Sequence, residues 1–147
     1  MNPLKTFEEY IKQGTIIKIS PNTERAKNLF QEAIRKKSSL QESAEKIGIK
    51  DENANDYIES GYDILMFLIR SKLYAKGYSS RGMGAHEAEV SYVRKLAFNE
   101  KETLFLNQLR FFRNGILYYG KRCDKEYAKK VIEFMKAKYS KLKELIG

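Results

Sequence analysis

The chain has one cysteine (Cys123), one histidine (His86), two prolines and no tryptophan. A single cysteine excludes an intramolecular disulfide and a cysteine-built zinc cage. A single histidine excludes a multi-histidine metal site, so no metal or other cofactor is expected. Both prolines, Pro3 and Pro21, lie near the N-terminus. Every residue from Asn22 to Gly147 therefore keeps its backbone donor, and long helices meet no obstruction. No apolar run approaches the roughly 20 residues that span a bilayer. Met1–Gln13 is polar and mixed in charge, unlike a secretory leader. The expectation is a cytoplasmic protein in a reducing compartment, with no membrane association.

What is abundant is charge, and most of it positive. Of 147 residues, 32% are charged and 42% hydrophobic, a balance that suits one globular domain and argues against disorder. The net charge of +9 and pI near 9.5 favour anionic partners: RNA, a nucleotide or an acidic protein. The charge is uneven, with nine basic and four acidic residues between Lys121 and Gly147. That segment reads either as a lysine-rich solvated helix or as a phosphate-binding face.

Helical spacing of apolar residues recurs along almost the whole chain. Leu4, Phe7, Tyr10 and Ile11 predict a short helix over Leu4–Gln13, ending at Gly14, within an N-terminal extension of residues 1–21. Thr15–Ser20 (TIIKIS) is the one strand-like stretch; short and solitary, it is expected to be an unpaired extended connection. Asn22 is a candidate N-cap for a helix carrying Ala26, Leu29, Phe30, Ala33 and Ile34. That helix is expected to weaken at Lys36–Ser39 and resume through Leu40, Ala44 and Ile47. The next, from Asp51 to Gly77, is apolar around much of its circumference and is expected at the centre. Gly77 stands where a left-handed helix terminator belongs. After the loop Ser79–Gly84, a helix from Ala85 carries Ala88, Val90, Val93, Leu96 and Ala97, and a further one covers Glu100–Tyr119, closed by Gly120. Asp124 is expected to cap the last helix, with Tyr127, Val131, Phe134, Met135, Leu142 and Leu145 on its buried stripe. The fold class is all-α: one domain, an antiparallel helical bundle of about four to six helices.

Gln108–Gly120 reads QLRFFRNGILYYG, an Arg-Asn pair in an aromatic and aliphatic helix followed by tyrosines. With AKNLFQEAIRKK, GYDILMFLIRSKLYAKGY and GAHEAEVSYV before it, this order of segments resembles the HEPN family of nucleotide- and RNA-associated helical bundles, over roughly Thr23–Gly147. The resemblance implies that Arg113 is the motif arginine and that two protomers form a homodimer with their Arg113 surfaces on a shared cleft. It also implies a small nucleotidyltransferase as partner, within a prokaryotic toxin–antitoxin type of module. The chain departs from the family where the motif places a histidine four to six residues after the arginine, since Tyr118 and Tyr119 stand there. In relatives whose motif tyrosine is adenylylated, that tyrosine falls two residues past the histidine. Counted from Tyr118, this position is Gly120.

Arg113 offers planar donors matched to phosphate oxygens, or pairs with an acidic residue on an adjacent helix. Asn114 either hydrogen-bonds a nucleotide or satisfies local backbone. Arg110 shares a helix face with Arg113 as a second phosphate contact or as a solvated arginine. Tyr118 and Tyr119 either act at the site or pack in a bundle or dimer interface. Tyrosine as a residue type titrates near about 10, so as a general base at neutral pH it forgoes most of the roughly 10²–10⁴-fold that such catalysis supplies. His86 alone is built for acid–base work near neutrality, reaching the Arg113 surface or remaining a capping or surface residue. Tyr62 is expected to hydrogen-bond inside the bundle, and Cys123 to be inert. Three functions follow: binding of nucleotide or RNA with weak or no catalysis; a metal-independent endoribonuclease using Arg113 with Tyr118 or His86; or a non-catalytic structural or partner-binding protein.

Overall fold

The computed structural model of the chain describes residues 3–146; Met1, Asn2 and Gly147 lie outside the described residues. Six α-helices are found among these residues, in the order α1 (Phe7–Lys12), α2 (Thr23–Lys46), α3 (Ala54–Ala75), α4 (Ala85–Ser91), α5 (Glu100–Tyr119) and α6 (Lys125–Ile146). Single 3-10 turns at Asp51–Asn53 and Tyr92–Lys95 precede α3 and follow α4. The fold is an all-α helical bundle, with one small two-stranded ribbon as its only sheet among the described residues.

The helix starts follow local chemistry. Thr6 and Glu9 form a reciprocal capping box on α1, and Asn99 and Glu102 form another on α5. Asn22 Oδ1 accepts from the Arg25 amide at 3.0 Å, and Asp124 Oδ1 accepts from the Tyr127 amide at 2.9 Å. Gly77 turns the chain after α3 with φ 84°; a Cβ there would lie 2.7 Å from the Ile19 carbonyl oxygen, so only glycine fits.

α3 is the axis of the molecule. Ile58, Ile64, Leu65, Met66, Leu68 and Ile69 are fully buried, because α2 and α6 flank it and α4 and α5 close its remaining side. α2 meets it through Ala26, Ala33 and Leu40, a seven-residue repeat in which the two alanines leave room for close approach of the backbones. Where α3 meets α6, a Cβ on Gly61 would come within 2.9 Å of Val131 Cγ1, so the pair is spaced for hydrogen at that position. Between α5 and α6 runs an aromatic column. Phe105 packs 4.4 Å from Phe134, and Tyr127 packs 5.1 Å from Phe112, centroid to centroid. Lys138, buried on α6, is tied to Glu102 and lies 4.9 Å from the centre of the Phe98 ring.

Four expectations change. Thr15–Ser20 is not an unpaired connection. Its residues Ile16–Lys18 (β1) pair antiparallel with Tyr78–Ser80 (β2), Ile16 opposite Ser80 and Lys18 opposite Tyr78. The partner was hidden because Tyr-Ser-Ser carries almost no hydrophobic alternation and lies far away in sequence. α2 runs unbroken through Lys36–Ser39, since Ala33 and Leu40 keep the inner stripe, Lys36 reaches Asp63 of α3, Lys37 lies over the Tyr139 ring of α6, and Ser38 and Ser39 are exposed. α4 ends at Ser91, well short of Leu96 and Ala97. The chain instead turns at Ala97, which takes φ 68°, held there by burial of Leu96 and Phe98 on either side. Finally, Leu145 is 47% exposed and leaves the expected buried stripe of α6, while Leu4, Phe7, Tyr10 and Ile16 of the N-terminal segment belong to the core.

Leu65 is completely enclosed on α3, so Leu65→Ala leaves a cavity that its helical neighbours cannot close. The expected cost is about 2–5 kcal/mol, read as a lower urea midpoint at unchanged m-value by far-UV circular dichroism.

Candidate functional site

The side of α3 that faces α4 and α5 carries Asp63 and Arg70, two turns apart. Each is answered by an opposite charge. Arg113 on α5 brings Nη2 to 3.3 Å from Asp63 Oδ1, and Lys36 on α2 places Nζ 3.9 Å from Asp63 Oδ2. Arg70 Nε donates to both oxygens of Glu89 on α4, each at 3.0 Å, and Ser80 Oγ donates to Glu89 Oε2 at 2.9 Å. Glu89 is buried, and this pair of donors is what lets a carboxylate sit there.

Arg113 thus points inward and is ion-paired, one of the two alternatives its sequence context left open. Its pairing is incomplete. Nε is buried and has no hydrogen-bond partner, and the guanidinium carbon lies 5.7 Å from the centre of the Tyr62 ring. Tyr62 corrects an expectation too: its hydroxyl is enclosed without a partner rather than hydrogen-bonded within the bundle. Burial pushes its pKa well above the ordinary tyrosine value. The Arg113 cation over its face is a polar contact of the ring. Two unsatisfied polar groups beside each other mark this as a costly place in the fold.

His86 opens α4 just after Gly84, exposed on one side. Burial on its other side lowers its pKa below the ordinary value, and Arg70, Arg113 and Arg110 lower it further against the opposing pull of Glu89. Three guanidiniums within a single chain therefore act electrostatically on this imidazole. Arg110 Nε donates to Asn107 Oδ1 at 3.0 Å. Tyr10 of α1 has its pKa pushed up to about 12, chiefly by burial and by a hydrogen bond to the Glu87 carboxylate. Glu59, one turn before Asp63, has its carboxyl pKa raised by burial, with Arg113 opposing.

Tyr118 and Tyr119 are 74% and 80% exposed, so neither packs into the bundle. At about 100° per residue, Tyr118 lies about 140° around α5 from Arg113, and Tyr119 about 120° around the other way. Within one chain they are not brought beside it. Asn114 is half-buried, and its side chain has no hydrogen-bond partner among the described residues. Cys123 is partly buried, and burial followed by Asp124 raises its thiol pKa, away from reactivity. No group of three or more His, Cys, Asp or Glu residues that could hold a metal occurs among the described residues. Sequence reasoning missed Arg70, Glu89 and Asp63. The available signal was an arginine and an aspartate inside the most apolar helix, where each needs a partner.

His86 makes the site pH-sensitive with a definite sign. Below about 6.5 the unfolded chain binds a proton that the native imidazole resists, so stability falls as pH drops below 6.5, and above it the effect vanishes. Urea midpoints measured from pH 7.5 downward are expected to decline more steeply for the native chain than for His86→Gln; parallel curves would contradict the placement of His86.

Comparison with family models, with curated proteins and with solved structures yields no match to this chain, and the resemblance to the HEPN family gains no support from it.

Proposed function

We propose that the chain binds a nucleotide or RNA through the cationic neighbourhood of Arg70, Arg110, Arg113 and His86, with weak or no catalysis. The observation that carries this reading is the incomplete pairing of Arg113, whose buried Nε has no hydrogen-bond partner. Arg70 and Arg110 add positive charge felt with that of Arg113 at His86. Asp63 and Glu89 answer only part of that charge, and the single 3.3 Å contact of Arg113 is long for an arginine–carboxylate pair. A phosphate offers the additional acceptors. The net charge of +9 adds a long-range attraction for the same ligands. The small nucleotidyltransferase partner implied by the HEPN resemblance belongs to this proposal, as does the cytoplasmic setting.

A homodimer completes the reading. Leu104, Phe111 and Tyr118 recur every seven residues on the outer side of α5, each at least half exposed, and Leu117 and Tyr119 extend the patch. An apolar and aromatic strip of that length is a candidate for burial against a second copy. It faces away from Arg113, about 160° around the helix at Phe111. The proposed dimer therefore forms on the outer side of α5, with the Arg113 side chains turned away from the interface and not on the shared cleft that the resemblance implies.

A second reading, a metal-independent endoribonuclease, is favoured by one observation: His86 has a lowered pKa and is open to solvent. A neutral imidazole near an arginine can take the 2′-hydroxyl proton while the guanidinium stabilises the phosphorane.

Arg113→Ala is expected to weaken RNA or nucleotide binding by roughly ten- to hundredfold at low salt, the worth of one charge-assisted contact. The helical circular dichroism spectrum should remain. If the native chain binds neither ligand at low salt, the structural or partner-binding reading takes over. Labelled RNA incubated with EDTA separates the enzyme: cleavage that survives EDTA and is abolished in His86→Ala would establish the endoribonuclease. For the dimer, light scattering at micromolar concentration should report two copies for the native chain and one for Phe111→Glu.

A further inference from the structure

Asp63 is addressed by cations from two different helices. Arg113 of α5 reaches Oδ1 through a single Nη2 contact at 3.3 Å, and Lys36 of α2 stands 3.9 Å from Oδ2. Neither contact has the two-pronged, roughly 2.7–2.9 Å geometry of a strong arginine–carboxylate pair. Asp63 is the only carboxylate within ion-pair distance of either cation among the described residues. The side chains of Arg113, Asp63 and Lys36 are 20%, 26% and 31% exposed, so the cluster reaches solvent.

Little else holds Arg113 in its inward position. It lies over the Tyr62 ring at 5.7 Å, and its Nε is buried there without an acceptor. A guanidinium in water satisfies all of its donors, so the inward position leaves one bond unmade that the Asp63 contact must offset. Glu59, one turn before Asp63, has its carboxyl pKa raised by burial, with Arg113 and Lys36 opposing. It makes no hydrogen bond or ion pair of its own among the described residues. This loose cluster has two ways of pairing: Asp63 with Arg113, or Asp63 with Lys36 while Arg113 is free.

We infer that Asp63 is an internal competitor at the anion site: its carboxylate holds Arg113 turned into the bundle, and an incoming phosphate takes Arg113 over while Lys36 keeps Asp63. The inference rests on the reading of Arg113 as a phosphate ligand. A carboxylate offers a guanidinium the same kind of charged acceptor as a phosphate, with fewer oxygens, so it can stand in for the ligand and yield to it. Lys36 spares Asp63 from being left unpaired by the exchange, which would otherwise oppose it. The alternative role for Asp63 is that of a positioning residue that aims Arg113 at the ligand. The two roles differ in sign. Removing the Asp63 charge strengthens binding if it competes and weakens binding if it positions.

The test uses the full chain at low salt with two probes, radiolabelled AMP in equilibrium dialysis and a fluorescent ten-residue oligoadenylate in anisotropy. Binding of AMP assigns the phosphate to a free nucleotide, and binding of the oligoadenylate alone assigns it to a strand. Asp63→Asn is expected to raise affinity about two- to fivefold, the worth of one loose, partly exposed ion pair. Glu59→Gln removes the same charge one turn away without releasing Arg113 and should raise it clearly less. In an Arg113→Ala background the advantage of Asp63→Asn over Glu59→Gln should vanish. Lys36→Met should weaken binding in the native chain and have no effect in the Asp63→Asn background. Asp63→Ser gives the same comparison should the asparagine variant lose its helical circular dichroism spectrum. Weaker binding in a folded Asp63→Asn variant makes Asp63 a positioning residue and overturns the inference. Equal gains from Asp63→Asn and Glu59→Gln reduce the effect to general charge and also overturn it. A loss from Lys36→Met that persists beside Asp63→Asn places Lys36 on the ligand and overturns the exchange. Native binding that Arg113→Ala leaves unchanged is a different failure, that of the Arg113 reading itself, as is the absence of binding in both the native chain and Asp63→Asn.

Discussion

A helix buried around most of its circumference can carry a charge only where another element brings the opposite one. α3 is such a helix, and Asp63 and Arg70 are its charges on the side facing α4 and α5. Asp63 requires a cation and Arg70 an anion, and the sequence supplies Arg113 on α5 and Glu89 on α4. Docking α4 one turn out of register would leave the buried Glu89 without its arginine, at a cost of about 3–5 kcal/mol, while moving α5 would leave Asp63 only the longer contact with Lys36. Apolar contacts set how tightly α4 and α5 pack. The alternation of sign along α3 helps set where.

The same constraint produces the cationic neighbourhood. Glu89 is spent on Arg70 and Ser80, and Asp63 is shared between Arg113 and Lys36. Arg110 is turned to an amide oxygen, a weaker partner than a carboxylate. Positive charge is therefore left over beside His86, and its effect is visible in the direction of the imidazole shift. The buried Nε of Arg113 and hydroxyl of Tyr62 show that packing here was not optimised for stability alone. Unsatisfied polar groups of this kind concentrate where a structure serves something besides its own folding, which is why the functional proposal rests on this place and not on the larger apolar surfaces.

Much of the fold was legible because it is encoded locally. Asn22, Asp124, Gly77 and Gly120 mark helix ends by capping chemistry that needs no knowledge of the rest of the chain. The apolar stripes of α2, α3 and α6 have a period that can be counted. Arg113 stood out as a charge in an aromatic helix. What was not legible depends on contacts between distant segments. The β1–β2 pairing, the partners Asp63 and Glu89, and the left-handed turn at Ala97 are decided by tertiary packing, and nothing in a local window specifies them. The separation of Tyr118 from Arg113 is an intermediate case: helical geometry alone gives the angle, while the outward exposure needed the fold.

The N-terminal segment shows how much a short element can depend on its surroundings. α1 has six residues, far below the length at which a helix holds itself together in water. It exists because Phe7 and Tyr10, one turn apart, are both buried, and because Thr6 and Glu9 cap its start. Those two anchors reach different places. Phe7 packs against Tyr78 and Tyr92 beside the β1–β2 ribbon, while Tyr10 meets the Glu87 carboxylate of α4. The contacts that fold α1 are thus contacts with the ribbon on one side and with α4 on the other. A segment that reads as an extension in sequence is, in the folded chain, part of the core.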